Sequence, residues 1–169
     1  MPPTMLDKIK LILAEKFGQD VILDEDAEAL QPSLTIEATR IADICQELRD
    51  NPATWFDFLS SLTGVDYGIE SGEFGVVYHL SSIPHKTQFV LKVRVPGGRN
   101  IDELPAVPSV SAVWRTAEWH EREAYDLTGI HFTGHPDLRR ILLPDDWEGH
   151  PLRKDYKTAE SYHDIKIDY

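Results

Sequence analysis

The stretch GHPDLRRILLPDDWEGHPLRKDY, residues 134–156, decides how the C-terminal part of the chain folds. It contains the tripeptide Gly-His-Pro twice, at 134–136 and 149–151, and each copy leads into a leucine followed by two basic residues. Three prolines and the absence of a helical period argue against regular secondary structure here. The stretch therefore predicts an extended, irregular segment.

The apolar content of this region argues against disorder. From residue 129 to 156 there are nine apolar or aromatic positions: Ile130, Phe132, Leu138, Ile141, Leu142, Leu143, Trp147, Leu152 and Tyr156. A small sheet that is already covered by helices cannot bury all of them, and each buried leucine is worth about 1.5–3 kcal/mol. We therefore predict that residues 129–169 form an extended segment that binds a partner protein.

The preceding residues, 1–128, predict one α+β domain, a two-layer mixed β-sheet covered by helices, in the order α-β-β-α-β-β-β-α. The first six elements predicted from periodicity and capping signals are a helix at 5–17, strands at 21–23 and 33–36, a helix at 38–50, a strand at 55–62, for which a helix is the alternative, and a strand at 74–80. A strand at 87–95 completes a hairpin with the preceding one. A final helix is predicted from Ser109, as N-cap, to about Thr128, before Gly129.

The composition of the chain limits the classes of function that it can have. A formal net charge of −12 disfavours binding to nucleic acid or to an anionic membrane surface. Cys45 is the only cysteine, it lies on the predicted apolar face of the second helix, and it fits a reducing compartment. The sequence also lacks the apolar core of a signal peptide and an apolar run long enough for a transmembrane helix, so we expect a cytosolic chain.

The sequence matches known catalytic motifs only incompletely. His120-Glu121 begins like a zinc-protease helix, but Ala124 stands where the second histidine ligand is needed. His131 and His135 are spaced as HxxxH among glycines and a proline, which disfavours a helix. A metallohydrolase using His120, Glu121, His131 and His135 is therefore only an alternative hypothesis.

Three carboxylates of the last helix are candidates for acid–base chemistry: Glu121, Glu123 and Asp126. Arg122 is spaced to pair with Asp126 one turn later. Glu121 falls on the apolar face and needs a partner if buried. The nearest cations in the sequence are Arg139, Arg140, Arg153 and Lys154. We expect one of them to tie Glu121 to the C-terminal segment, with catalysis as the weaker alternative.

The tryptophans differ in their surroundings. Trp55 and Trp114 are predicted to be core residues, whereas Trp147 lies among acidic residues in the irregular segment. An aromatic residue in such a place is typical of an interface anchor.

Several motifs together resemble the 30-kDa subunit family of respiratory complex I. They are EREAYDLTGI at 121–130, GHP at 134–136, LRRIL at 138–142 and WEGHPLRKDY at 147–156, with weaker likeness in TGVDY at 63–67 and LKVRVP at 91–96. The resemblance implies a cofactor-free structural subunit in the peripheral arm of a proton-translocating NADH:quinone oxidoreductase. FMN and iron–sulfur clusters would belong to partner subunits.

The resemblance also implies partners and a location. The chain would bind chiefly the 49-kDa quinone-site subunit, near the subunits that carry iron–sulfur clusters, on the cytoplasmic side of the inner membrane. An equivalent subunit of a related membrane-bound hydrogenase or plastoquinone-reducing complex is the alternative. The residues expected at the partner interface are Glu121, Arg122, Glu123, Asp126, His135, Arg139, Arg140, Trp147, His150, Arg153, Lys154 and Tyr156. No catalytic, cofactor-binding or metal-binding residue is expected.

Overall fold

A computed structural model describes residues 3–158, 160–163 and 165–166 of the chain. Three α-helices and a five-stranded sheet form its main body. The helices are α1 (Met5–Phe17), α2 (Ile41–Asp50) and α3 (Ala117–Thr128). The strands of the sheet are β1 (Ile22–Asp26), β2 (Ser33–Ile36), β3 (Phe58–Asp66), β4 (Glu73–Ser82) and β5 (Thr87–Pro96). The remaining strands are short: β6 (Ala106–Pro108), β7 (His131–Thr133), β8 (Ser161–Tyr162) and β9 (Ile165–Lys166).

The sheet is mixed, with the spatial order β1-β2-β5-β4-β3. Strand β2 runs parallel to β5, with Ser33 opposite Val90, and the other neighbouring pairs are antiparallel. Alternate residues of β4 are fully buried, namely Phe74, Val76, Tyr78 and Leu80. Most of the intervening residues of this strand are less buried, which is the pattern of a sheet with one face in the core.

The helices complete one hydrophobic core with the buried face of the sheet. Helix α1 begins with a capping box, in which the Thr4 side chain accepts from the Asp7 amide and the Asp7 carboxylate accepts from the Thr4 amide. Helix α2 contributes four buried residues, Ile41, Ile44, Cys45 and Leu48. The interior position predicted for Cys45 is therefore confirmed.

The predicted α+β fold is confirmed, and its eight predicted elements occur in the predicted order, with the short strand β6 as an additional element between β5 and α3. Helix α1 and strand β2 have the predicted bounds, and the strand expected at 55–62 is β3, shifted to Phe58–Asp66. Residues 38–40, predicted as the start of the second helix, form a 3-10 turn before α2. Trp114 is buried as predicted, but the prediction for Trp55 is wrong, because its side chain is 50% exposed.

The predicted start of the last helix at Ser109 is wrong. The amide of Ser109 donates to the carbonyl of Thr133 and thereby prolongs the parallel pair of β6 and β7. Turns follow, and α3 begins only at Ala117. The Ser109 hydroxyl does not cap a helix because it bonds to the Glu121 carboxylate instead. Tertiary contacts thus override a local capping signal.

The chain continues after α3 into the predicted C-terminal segment. Gly129 ends the helix in the left-handed conformation, and Ile130 and Phe132 are buried in the core. The boundary proposed at residue 128 stays a prediction. Residues 1–2, 159, 164 and 167–169, which fall within the two predicted regions, lie outside the described residues. None of the described helices has the length and apolarity needed to cross a bilayer.

Candidate functional site

The C-terminal segment, residues 129–169 as predicted above, contacts α3 through residues 135–153, which follow the helix from its start to its end. Near the start of α3, the His135 imidazole bonds to the carbonyl of Glu118. One turn later, the Arg122 guanidinium donates to the carbonyls of Arg139 and Arg140. Successive turns of the helix therefore bind successive parts of the segment, which fixes its register on the domain.

Asp126 makes the densest set of these contacts. One carboxylate oxygen accepts the three consecutive amides of Ile141, Leu142 and Leu143 at 3.0, 2.8 and 2.9 Å. The other oxygen accepts from Arg140 Nη1 at 2.7 Å. Burial alone would raise the pKa of Asp126, but the three amides and the guanidinium outweigh it and hold the pKa below its ordinary value. Asp126 is therefore an ionised, fully buried anchor for the segment.

A second anchor joins the end of β3 to the segment. The Arg99 guanidinium binds both oxygens of Asp66, at 2.7 and 2.8 Å, and also bonds to Asp155 at 2.8 Å. The amide of Lys154 donates to Asp66 at 2.8 Å. Hydrogen bonds from Arg99, against the effect of burial, lower the pKa of Asp66 strongly. Residues far apart in sequence thus fix residues 154–155 at one edge of the sheet.

Arg153 is the third anchor, and it lies at the C-terminal end of α3. Its buried guanidinium donates to the carbonyls of Thr128 at 2.8 Å, Arg99 at 2.8 Å and Gly129 at 3.4 Å. A cation is favourable here because the last carbonyls of a helix carry partial negative charge. The buried His150 ring lies beside it and contacts the Asp126 carbonyl through Nδ1 at 2.9 Å.

Replacing Gly129 by alanine is expected to destabilise the chain by about 1–3 kcal/mol. Its φ of 73° is unfavourable for a residue with a side chain, and a Cβ would lie 2.6 Å from Cδ2 of His150 and against the Arg153 guanidinium. Urea unfolding of the isolated chain measures the loss. Gly134→Ala is the matched control, because Gly134 has a φ of 83° but open space around it. An equal loss of stability in both variants would mean that the packing of residue 129 against Arg153 does not contribute to the free energy of unfolding.

The prediction that a cation ties Glu121 to the segment is wrong. The carboxylate is fully buried and accepts from the Ser109 hydroxyl at 2.6 Å and from the Val110 amide at 2.7 Å. Arg140 binds Asp126 instead. The expected pairing of Arg122 with Asp126 is also wrong, because Arg122 turns toward the segment carbonyls. The helix therefore presents Asp126, rather than Glu121, to the basic residues.

The twelve predicted interface residues differ in exposure. Five are buried within the chain: Glu121, Arg122, Asp126, His150 and Arg153. Four are partly buried: His135, Arg140, Trp147 and Tyr156. Three are exposed: Glu123, Arg139 and Lys154. Their assignment to a partner interface stays a prediction, but the structure gives most of the buried ones a role in holding the segment on α3.

A cavity of about 550 Å³ opens beside residues 147–157 of the segment, and Arg140, Trp147, His150, Arg153 and Tyr156 line it together with other residues. The ring of Trp147 also lies 5.4 Å from that of Tyr162, between centroids. Within the described residues, the buried Nε1 of Trp147 has no hydrogen-bond partner. The cavity therefore brings five of the predicted interface residues together.

Three exposed apolar residues are absent from the interface predicted from the sequence. Leu142 and Leu152 are 62% and 59% exposed, and Trp119 on α3 is 62% exposed. The amide of Leu142 bonds to Asp126 and that of Leu152 to the Leu127 carbonyl, so both leucines are held at one turn of α3. Trp119 lies off the apolar stripe of its helix, and this spacing could have identified it as an exposed residue from the sequence. For the leucines the irregular segment offers no periodicity from which to infer exposure.

The four residues of the metallohydrolase hypothesis do not converge. His120 is partly buried on α3 and His131 is exposed on β7. Only His135 and Glu121 approach each other, at 3.9 Å. Over residues 3–158, 160–163 and 165–166, no group of three or more histidine, cysteine or acidic side chains is arranged to hold a metal ion.

Comparison with protein families agrees with these motifs. Residues 34–162 match the family described as the respiratory-chain NADH dehydrogenase 30-kDa subunit. The chain belongs to this 30-kDa subunit family. The matched residues include the central strands of the sheet, α3 and the C-terminal segment through Tyr162. The family resemblance inferred from the sequence is therefore confirmed.

Known relatives within the 30-kDa family carry the name of the C subunit of NADH-quinone oxidoreductase. The protein from Chloroherpeton thalassium is 47% identical over 160 residues, which cover 94% of this chain and 63% of that relative. The protein from Chlorobium phaeobacteroides is 43% identical over 161 residues, covering 94% of this chain and 92% of that relative. The chain thus spans less than two thirds of the first relative and most of the second.

A solved structure shares the fold. A chain of an archaeal respiratory membrane complex, the membrane-bound sulfane sulfur reductase, superposes with a TM-score of 0.70 and 25% identity. The match covers 90% of this chain and 85% of that chain.

Proposed function

We propose that this chain is a structural subunit of the peripheral arm of a proton-translocating NADH:quinone oxidoreductase, without catalytic residues or cofactors of its own. Membership of the 30-kDa family and the names of its relatives support an assignment to this complex. FMN and iron–sulfur clusters then belong to partner subunits. The charged side chains of Arg140, Arg153 and Asp155 in the C-terminal segment are bound to the domain itself, which supports a structural role.

The observation that carries the proposal is an exposed apolar surface on a rigidly held segment. Leu142 and Leu152, the exposed leucine pair, stay in solvent although their backbones are anchored to α3. Burying the exposed part of each leucine in a partner would contribute about 1–2 kcal/mol. Because the segment is already ordered on α3, little conformational entropy remains to be lost on binding.

The proposed partner is the 49-kDa quinone-site subunit, with the subunits that carry iron–sulfur clusters nearby, on the cytoplasmic side of the inner membrane. The buried members of the predicted interface, such as Asp126 and Arg153, hold the segment in place for this contact. The exposed members, Glu123, Arg139 and Lys154, then contact the partner directly together with the leucine pair.

Replacing both leucines of the pair by lysine is expected to abolish co-purification of the other subunits with the tagged chain from native membranes. Each lysine puts a charge where a partner would bury an apolar side chain, and an unpaired buried charge costs several kcal/mol. Lysine at 142 also avoids a like charge beside Asp126. Mass spectrometry of the purified complex measures the loss, and urea unfolding of the isolated variant checks that it remains folded.

The matched control is Ile83→Lys. Ile83 is 67% exposed and lies beyond the end of β4 that is remote from Asp66 and the C-terminal segment. This variant is expected to retain the co-purifying subunits. If the leucine variant kept its partners as well, the leucine pair would not be the contact surface. If the wild-type chain purified without subunits of an NADH:quinone oxidoreductase, the proposed function would be wrong.

A second candidate is the corresponding subunit of a related membrane-bound complex that does not use NADH, such as a hydrogenase. The similarity to a chain of the archaeal sulfane sulfur reductase favours it as the runner-up. The same purification separates the two, because only the NADH:quinone oxidoreductase should bring down subunits that bind NADH and FMN.

A further inference from the structure

Glu121 is a buried carboxyl group that the proposed contact with a partner does not use. Its side chain is fully inaccessible, and its two oxygens are 2.6 Å from the Ser109 hydroxyl and 2.7 Å from the Val110 amide. Both donors are neutral. Among the described residues, the only ion-pair partner of Glu121 is the His135 ring, whose Nε2 lies 3.9 Å away.

The hydrogen bonds of His135 fit a neutral ring in this arrangement. Nδ1 accepts the amide of Asp137 at 3.0 Å, so this nitrogen has no proton. Nε2 lies 3.0 Å from the carbonyl of Glu118, which can only accept, so Nε2 is the protonated nitrogen. A second proton on the ring would break the bond to Asp137. The ring therefore cannot neutralise an ionised Glu121 without losing its bond to the Asp137 amide.

A neighbouring carboxylate also disfavours a negative charge on Glu121. Glu118 lies on the same helix and repels it. Cys45 on α2 and Tyr78 on β4 are buried near it; burial raises the pKa of both, and the Glu121 charge adds to the rise. Desolvation, opposed by the bonds from Ser109 and Val110, raises the pKa of Glu121 to about 7.

The turn at Ser109 can satisfy either protonation state of the acid. Ser109 Oγ accepts the Ser111 amide at 3.1 Å and lies 2.7 Å from Ser111 Oγ. With neutral Glu121, the carboxylic O–H donates to Ser109, and Ser109 donates to Ser111. With ionised Glu121, the two hydroxyl protons reverse direction. A proton can thus be lost without breaking the chain of bonds, but the charge that appears is buried without a cation.

We propose that Glu121 binds and releases a proton in the folded chain, and that its neutral form holds the start of the C-terminal segment against the turn at 109–111. The ionised form places a charge without a cation in this buried site, which destabilises the packing around it, including the His135 ring, so that the segment is held less firmly in alkaline than in acidic solution. The inference concerns the isolated chain and does not depend on the identity of a partner.

The pH dependence of unfolding tests this proposal, with Glu121→Gln as the variant. Glutamine reproduces the neutral acid, since its oxygen can accept from Val110 and its amide can donate to Ser109. Because folding raises the pKa of Glu121 from 4.5 to about 7, the wild-type chain should lose stability relative to the variant as pH rises through this range. Between acidic solution and pH 8, the folded-to-unfolded ratio of the wild-type chain should fall by up to about two orders of magnitude more than that of the variant.

Two further measurements keep the test decisive even if the glutamine variant does not fold. Carboxyl carbon NMR of the wild-type chain should show a glutamate titrating near neutral pH, and Glu118→Gln should move that titration to lower pH. Hydrogen exchange of the Asp137 and Ser111 amides, corrected for its intrinsic pH dependence, should accelerate through the same range. A Glu121 carboxyl that is ionised throughout from about pH 5.5 to 8, or parallel stability profiles for wild type and the glutamine variant, would overturn the proposal.

Discussion

Replacing Asp126 by alanine is expected to destabilise the isolated chain by about 3–5 kcal/mol, because it removes one partner of a buried ion pair. Arg140 would keep its partly buried charge without a carboxylate, and the amides of residues 141–143 would lose their common acceptor. Urea unfolding measures the loss, and hydrogen exchange should show faster exchange at these three amides than at the core strands.

Glu123→Ala is the matched control, since Glu123 lies on the same helix but is exposed. It should change stability by less than about 0.5 kcal/mol. Asp126→Asn adds a finer comparison, because one oxygen can still accept the three amides while an amide group faces Arg140. A loss in this variant as large as in Asp126→Ala would assign the effect to the ion pair. No loss in either variant would mean that Asp126 does not anchor the segment.

The second large effect is expected from Arg153→Met, which keeps much of the side-chain volume but removes three donors. The carbonyls of Thr128, Gly129 and Arg99 would then lack their partner at the end of α3. Unsatisfied buried acceptors cost about 1–3 kcal/mol each, and water from the adjoining cavity reduces the total, so we expect a loss of about 2–4 kcal/mol. Thermal or urea unfolding of the isolated chain measures it.

Lys154→Met is the corresponding control, because only the backbone amide of Lys154, and not its exposed side chain, contacts Asp66. This variant should unfold like the wild type. If Arg153→Met were as stable as the wild type, the guanidinium would have no role in holding the segment, and its contacts with three carbonyls would be incidental to folding.

The sequence predicts well those elements whose signals are local. The capping box of Thr4 and Asp7 and the regular apolar spacing place α1 at its observed bounds. The alternation in β5 places that strand nearly as well, because one face of it is buried. In both cases, the local preference and the tertiary structure agree.

The errors occur where distant contacts decide the structure. Ser109 has the right chemistry for a helix N-cap, but its hydroxyl binds Glu121, which lies twelve residues further along the chain. Trp55 adopts a φ of 41° and turns its large side chain toward solvent. Neither outcome has a signal in the neighbouring residues.

The candidate site is predictable only in part for the same reason. The irregular segment, its basic residues and their connection to α3 follow from composition and from the two Gly-His-Pro motifs. Which carboxylate receives Arg140 depends on the direction in which Asp126 and Glu121 leave the helix, and on three backbone amides that carry no sequence signal. Helical spacing alone indicates Glu121 as the inward acid, but both acids are buried.

The parallel pairing of β2 with β5 has a consequence for synthesis on the ribosome. The hairpin of β1 and β2 can join the rest of the sheet only after β5 has been synthesised, because Ser33 pairs with Val90. Until then, a nascent chain exposes the unpaired edge of β2, and such edges bind chaperones or other strands. The sheet can therefore be completed only after β5 has been synthesised.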